Sequence, residues 1–131
     1  MMQEHNITVP RTARYFTLGA PERAQDVWFV CHGYGQLAAR FLERFRALES
    51  PERGIVAPEA LSRFYLSEHA AERRVGASWM TKEDRLNEID DYVRYLDAVC
   101  AQGIEDARGE RRDQRASGRP ARWFSRPAST K

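Results

Sequence analysis

The residues best placed to do chemistry are His32-Gly33-Tyr34-Gly35-Gln36, which follow the apolar run Val27-Trp28-Phe29-Val30-Cys31. In an open parallel sheet, ligands bind beyond the carboxyl ends of the strands. The two glycines let the backbone approach a ligand and present N–H groups to it. Such amides can stabilise the oxyanion of an acyl transfer. On spacing alone an ordinary tight strand-to-helix turn is the favoured reading, because Gly-x-Gly is a weak signal and does not complete a dinucleotide-binding fingerprint.

Other candidates carry weaker signals. Gly76-Ala77-Ser78-Trp79-Met80 approaches the G-x-S-x-G nucleophile elbow, but Met80 stands where the second glycine belongs. Glu72-Arg73-Arg74-Val75 before it does not read as a buried strand, so Ser78 is expected in a loop. His5 and His69 lie among polar residues and read as solvated, and His32 reads as a structural side chain that orients the turn. Cys31 and Cys100 read as small buried hydrophobes. Cys31 and His32 do not form a dyad, since strand neighbours point to opposite faces. No His, Cys, Asp or Glu spacing suggests a metal site, and no cofactor is expected. Asp84, Glu88 and Asp91 read as the solvated face of a helix.

The elements that must position the turn follow from hydrophobic pattern. Arg14 to Leu18 alternates and reads as an edge or antiparallel strand, broken by Gly19-Ala20-Pro21. Val27–Cys31 is apolar on both faces, as expected at the centre of a parallel sheet. Leu37, Phe41, Leu42, Phe45 and Leu48 fall at helical spacing, ended by Ser50-Pro51. Gly54 to Pro58 reads as a short buried strand and Ser62 to Leu66 as a further extended piece. Thr81 and Asp84 have the spacing of a capping box. Leu86, Ile89, Val93, Leu96 and Cys100 then form one apolar stripe, widened by Tyr92, Tyr95 and Val99, of a helix that Gly103 is expected to stop. The predicted order is β-β-α-β-loop-α, an α/β layered sheet with right-handed crossovers.

Composition bounds the function class. The 131 residues carry 21 Lys+Arg against 19 Asp+Glu, a net charge of +2, and 42% are hydrophobic. That excludes an overall polybasic nucleic-acid binder and a strongly acidic disordered chain. No apolar run is long enough to span a bilayer, and Met1 to Arg14 lacks the apolar core of a secretory signal, so a cytoplasmic protein is expected. The charge is uneven. Residues 103–131 carry a net +4 and are rich in Arg, Ala, Gly and Pro, with no Leu or Val. The expectation is a domain over 10–102 and a disordered tail over 103–131. Arg111, Arg112, Arg115, Arg119, Arg122 and Arg126, with Trp123, could contact phosphates and stack on a base, but four acids dilute them and nucleic-acid binding is not expected.

Taken together, these segments resemble a known family. His32-Gly33-Tyr34-Gly35-Gln36 after its strand is similar to the oxyanion turn of α/β-hydrolases. Ala57-Pro58-Glu59-Ala60-Leu61-Ser62-Arg63-Phe64-Tyr65-Leu66, Arg74 to Arg85 and Glu88 to Val93 resemble the bacterial carboxylesterase/phospholipase group, related to acyl-protein thioesterases. Ala60 stands where that group has Gly. The resemblance covers roughly residues 10–102. It implies a Ser-His-Asp hydrolase of small carboxylic esters or thioesters. The Tyr34 N–H would be an oxyanion donor, Gly33, Gly35 and Gln36 would shape the hole, and Phe64, Tyr65, Ser78, Trp79 and Met80 would lie near an acyl pocket. It also implies a following strand, a G-x-S-x-G elbow, an Asp and a His, which this sequence does not carry.

The resulting expectation is a partial α/β-hydrolase sheet, truncated before the elbow and inactive alone, with no catalytic triad. A frameshift after Gln102 would explain the composition break and the missing elbow together. Two alternatives stand beside it. One is a non-catalytic binding module whose exposed sheet edge takes a partner protein. The other is a complete small enzyme using Ser78 or Cys31, for which no base is evident.

Overall fold

A computed structural model describes residues 1–21, 23–67, 73–109 and 121–125. Of 104–109 and 121–125 it describes the backbone. The elements are β1 (Tyr15–Leu18), β2 (Asp26–Cys31), α1 (Ala38–Glu43), a 3-10 turn (Arg46–Leu48), β3 (Arg53–Pro58), β4 (Ser62–Tyr65), β5 (Val75–Ser78), α2 (Arg85–Gly109) and β6 (Ala121–Ser125). The main sheet has the order β1-β3-β2-β6. β1 runs antiparallel to β3, while β3 and β6 flank β2 in parallel. β4 and β5 form a separate antiparallel pair.

The apolar strands sort their side chains by alternation. Val30, Ile55 and Ala57 pack on one face against Ala38, Phe41 and Leu42 of α1. Val27, Phe29 and Val56 pack on the other against Val99, with Tyr95 and Cys100 beside it. The continuous apolar pattern of β2 is therefore covered on both faces, as expected for a central parallel strand. β1 lies at an edge and pairs antiparallel, also as expected.

Several expectations are corrected. α2 does not stop at Gly103 but continues to Gly109. Gly103 lies over Phe29, and an added Cβ would meet the ring at 3.5 Å. Packing on the sheet thus outweighs the weak helix propensity of glycine. The N-terminus of α2 is not the expected capping box. Thr81 Oγ1 accepts from the Glu83 N–H in a local turn, the Thr81 N–H donates to Glu88, and the helix begins at Arg85 after Asp84 at φ 51°. The apolar stripe is buried only in part: Leu86 and Val93 are exposed, whereas Val99 and Tyr95, expected to widen it, pack on the core with Cys100.

Ser78 ends a strand rather than lying in a loop. That strand escaped the hydrophobic pattern because Gly76, Ala77 and Ser78 are small, and it forms by pairing with β4. The region expected as a disordered tail contains β6, and the sheet has one more strand than the predicted order allowed. Its physical basis is the open edge of β2, whose backbone groups take a partner, with α2 supplying the crossover that a parallel neighbour requires. Composition averaged over the whole segment hides this five-residue run. The rest of that segment, 110–120 and 126–131, lies outside the described residues, as does His69. Among the described residues no helix is long and apolar enough to cross a membrane.

Candidate functional site

The turn leaves the carboxyl end of β2 and is held from three sides. His32 is buried beneath it. Its Nε2 accepts from the Ala60 N–H at 2.9 Å, and its Nδ1–H donates to the Gly33 carbonyl at 2.8 Å. These two bonds require the neutral ring with its proton on Nδ1. Trp79 stacks on His32 at 5.2 Å and donates its indole N–H to the His32 carbonyl at 2.8 Å. His32 therefore has the structural role expected of it, and neither ring nitrogen is free to act as a base.

Burial lowers the His32 pKa, against the smaller opposing pull of the Gly33 carbonyl and Glu59. A folded-state pKa below the ordinary 6.5 means that the unfolded chain binds the proton first. The stability contributed by the neutral ring is present above 6.5 and is lost as pH falls from there through the folded-state value. An NMR titration should show the His32 ring still neutral at pH 6.5. A ring already half-protonated at that pH would contradict this assignment.

The amides of the turn divide unequally. The Gly33 N–H donates to Gln36 Oε1 at 2.7 Å, the Gln36 N–H to the Gly33 carbonyl at 3.2 Å, and the Gly35 N–H to the Ala77 carbonyl at 2.9 Å. The Ala77 N–H returns a bond to the Gln36 carbonyl at 3.0 Å, which clamps the turn to β5. Gly35 needs its glycine, because its φ is +76°. Among the described residues the Tyr34 N–H has no partner, and it is the one amide of Gly33 to Gln36 left over. The Tyr34 side chain is exposed and meets the Phe64 ring at 5.2 Å.

The remaining candidates scatter. Tyr65 is exposed, with the Arg73 guanidinium over its ring. Ser78 is buried and donates its hydroxyl to the Met80 carbonyl at 2.8 Å. Trp79 faces His32, Tyr92 and Tyr95, and Met80 is at the surface. Desolvation pushes the Cys31 thiol up to about 11. A thiol with that pKa is almost wholly protonated at neutral pH and is a poor nucleophile. At pH 8, iodoacetamide should alkylate Cys31 roughly 200-fold more slowly than an ordinary cysteine of pKa about 8.5, read by peptide mass mapping. Equal rates would show that the thiol is not desolvated. Among the described residues no group of three or more His, Cys, Asp or Glu could hold a metal ion.

One buried charge belongs to none of the candidate groups. Glu59, just past β3, is 1% exposed. It accepts from Arg14 Nε at 2.6 Å, Arg63 Nε at 3.0 Å and the Ala38 N–H at 3.3 Å. Burial pushes its carboxyl up, but the hydrogen bonds from Arg14 and Arg63, with the Arg14 charge and the Ala38 N–H, together hold it below the usual carboxylate range. Tyr95 donates its hydroxyl to the Arg14 carbonyl at 2.9 Å, and desolvation raises its phenol to about 12. Glu59 thus joins the lead-in to β1, the start of α1 and the start of β4. An acid directly after an apolar strand was the available signal.

No protein-family model matches this chain, and no significant match is found among curated proteins.

Proposed function

We propose that the chain carries the oxyanion-stabilising half of a serine carboxylesterase or thioesterase of the α/β-hydrolase type, and does not itself hydrolyse esters. The observation that carries this reading is the leftover Tyr34 N–H on a turn at the carboxyl end of a central parallel strand. A rigid amide donor costs no reorganisation when charge develops on a substrate oxygen. The edge-antiparallel sheet with helices on both faces is compatible with the same reading. The nucleophile is the missing part. Ser78 is spent on a carbonyl, Cys31 is protonated, and His32 is committed at both nitrogens. Without a triad, an oxyanion donor retains only modest catalysis.

Two measurements test this together. The purified chain should resist labelling by a fluorophosphonate and should leave p-nitrophenyl butyrate at the buffer rate. Reading the gene in all three frames past the codon for Gln102 should reveal an apolar strand followed by Gly-x-Ser-x-Gly in one of them. Serine labelling of the chain would overturn its inactivity. The absence of any such frame would remove the esterase assignment and favour a binding module.

A further inference from the structure

A groove of about 280 Å³ opens between α1 and the β4–β5 pair, next to the turn. Its volume is at the small end of ligand pockets, which run from about 300 Å³ upward. Three guanidinium groups border it. Arg40 and Arg44 stand one helical turn apart on and just after α1, and Arg74 immediately precedes β5. Between them lie the apolar side chains of Leu37, Phe41, Leu66 and Val75.

Two features of this groove are not explained by folding. The ion pairs found among the described residues use Arg14, Arg46, Arg53 and Arg63, and none uses Arg40, Arg44 or Arg74. Glu43, the acid adjacent to Arg44, is engaged by Arg46. Three like charges thus line one groove, and among the described residues none of them has an ion-pair partner, an arrangement that favours an anion. In addition, Leu66 and Val75 are 47% and 36% exposed beside these charges. Leu66 is nevertheless fixed: its N–H donates to the Arg74 carbonyl at 2.8 Å, and its side chain covers Gly35.

We propose that this groove binds a small amphiphilic anion, with a carboxylate or phosphate held between Arg40, Arg44 and Arg74 and a short apolar stem laid on Phe41, Leu66 and Val75. Guanidinium groups suit both anions, since their planar donors match carboxylate and phosphate oxygens. The apolar floor separates such a ligand from a bare inorganic ion. The proposal does not rest on the oxyanion reading, because it concerns binding rather than turnover.

Isothermal titration calorimetry of the purified chain at low ionic strength tests it, with n-hexyl phosphate, hexanoate, inorganic phosphate and hexyltrimethylammonium as probes. Hexyl phosphate and hexanoate should bind, inorganic phosphate should bind more weakly, and the ammonium should not bind. Arg40→Gln and Arg74→Gln should each weaken hexyl phosphate about fivefold or more, the lower end expected for an exposed charged contact. Val75→Ser should weaken hexyl phosphate without changing inorganic phosphate. Arg94→Gln, on the exposed part of α2, should change nothing. These side chains are all exposed, so far-ultraviolet circular dichroism should be unaltered. The proposal is overturned by binding that survives Arg40→Gln and Arg74→Gln, by equal affinity for the ammonium or for inorganic phosphate, or by no binding of either amphiphilic anion.

Discussion

Gly76→Ala is expected to destabilise the fold by about 3 kcal/mol, at the upper end of overpacking costs. A methyl at position 76 would stand 2.4 Å from the Gly35 carbonyl oxygen, 2.7 Å from its carbon and 2.8 Å from its Cα. All three are backbone atoms, so no side chain can swing away. The turn would have to leave β5, giving up the Gly35–Ala77 and Ala77–Gln36 hydrogen bonds. Gly35 cannot absorb the shift easily, since it already occupies a left-handed conformation. Urea midpoints measure the loss, and the Tyr34 amide resonance should move with it. Gly103→Ala is the contrasting case. Its added Cβ would meet Phe29 at ordinary contact distance, so the gain in helix propensity of up to about 1 kcal/mol should leave that variant neutral or more stable. Equal losses at positions 76 and 103 would show that the packing of the turn on β5 is not the cause.

The contrast between those glycines also explains what the sequence could reveal. Strands that bury one or both faces announce themselves by apolar content, and β1, β2 and β3 were legible for that reason. α1 was legible from the spacing of Phe41, Leu42 and Phe45, although the helix itself ends at Glu43 and a 3-10 turn continues it. β5 was not legible, because its small residues serve backbone contact with the turn instead of burial. Gly103 misled for a different reason: its place over Phe29 on the sheet carries the helix onward, a tertiary fact that local helix-stop rules do not contain. β6 lies in a segment whose composition argues against order, and its pairing depends on an edge supplied far away in the chain.

The candidate site divides along the same line. Position after a buried strand pointed to His32 through Gln36, and nothing more than local pattern was needed. Which amide stays free was not readable, since the side chain of Gln36 and the carbonyl of Ala77 decide it. Glu59 was invisible as a cluster because its partners, Arg14 and Arg63, are 45 and 4 residues away. Arg40, Arg44 and Arg74 likewise become one feature only when α1 and β5 are brought together.

Glu59→Gln is expected to cost about 2–3 kcal/mol at pH 7, within the range for hydrogen bonds to charged groups. The carboxylate accepts four hydrogen bonds, two from Arg14 and one each from Arg63 and Ala38. The amide offers one acceptor oxygen and turns its NH2 toward guanidinium donors. The two arginine side chains are 50% and 42% exposed, so they regain water and the loss stays below that of a fully buried pair. The variant should also loosen Arg14, whose carbonyl holds the Tyr95 hydroxyl, and so weaken the tie between β1 and α2. The pH dependence identifies the cause. Because Glu59 is held below its ordinary 4.5, its stabilisation is complete above that value and disappears as pH falls through the lower folded-state value. The difference in urea midpoint between the two proteins should therefore be largest at neutral pH and should close on acidification. A gap that persists unchanged well below the folded-state value would mean that shape, rather than the charge of Glu59, holds these segments together.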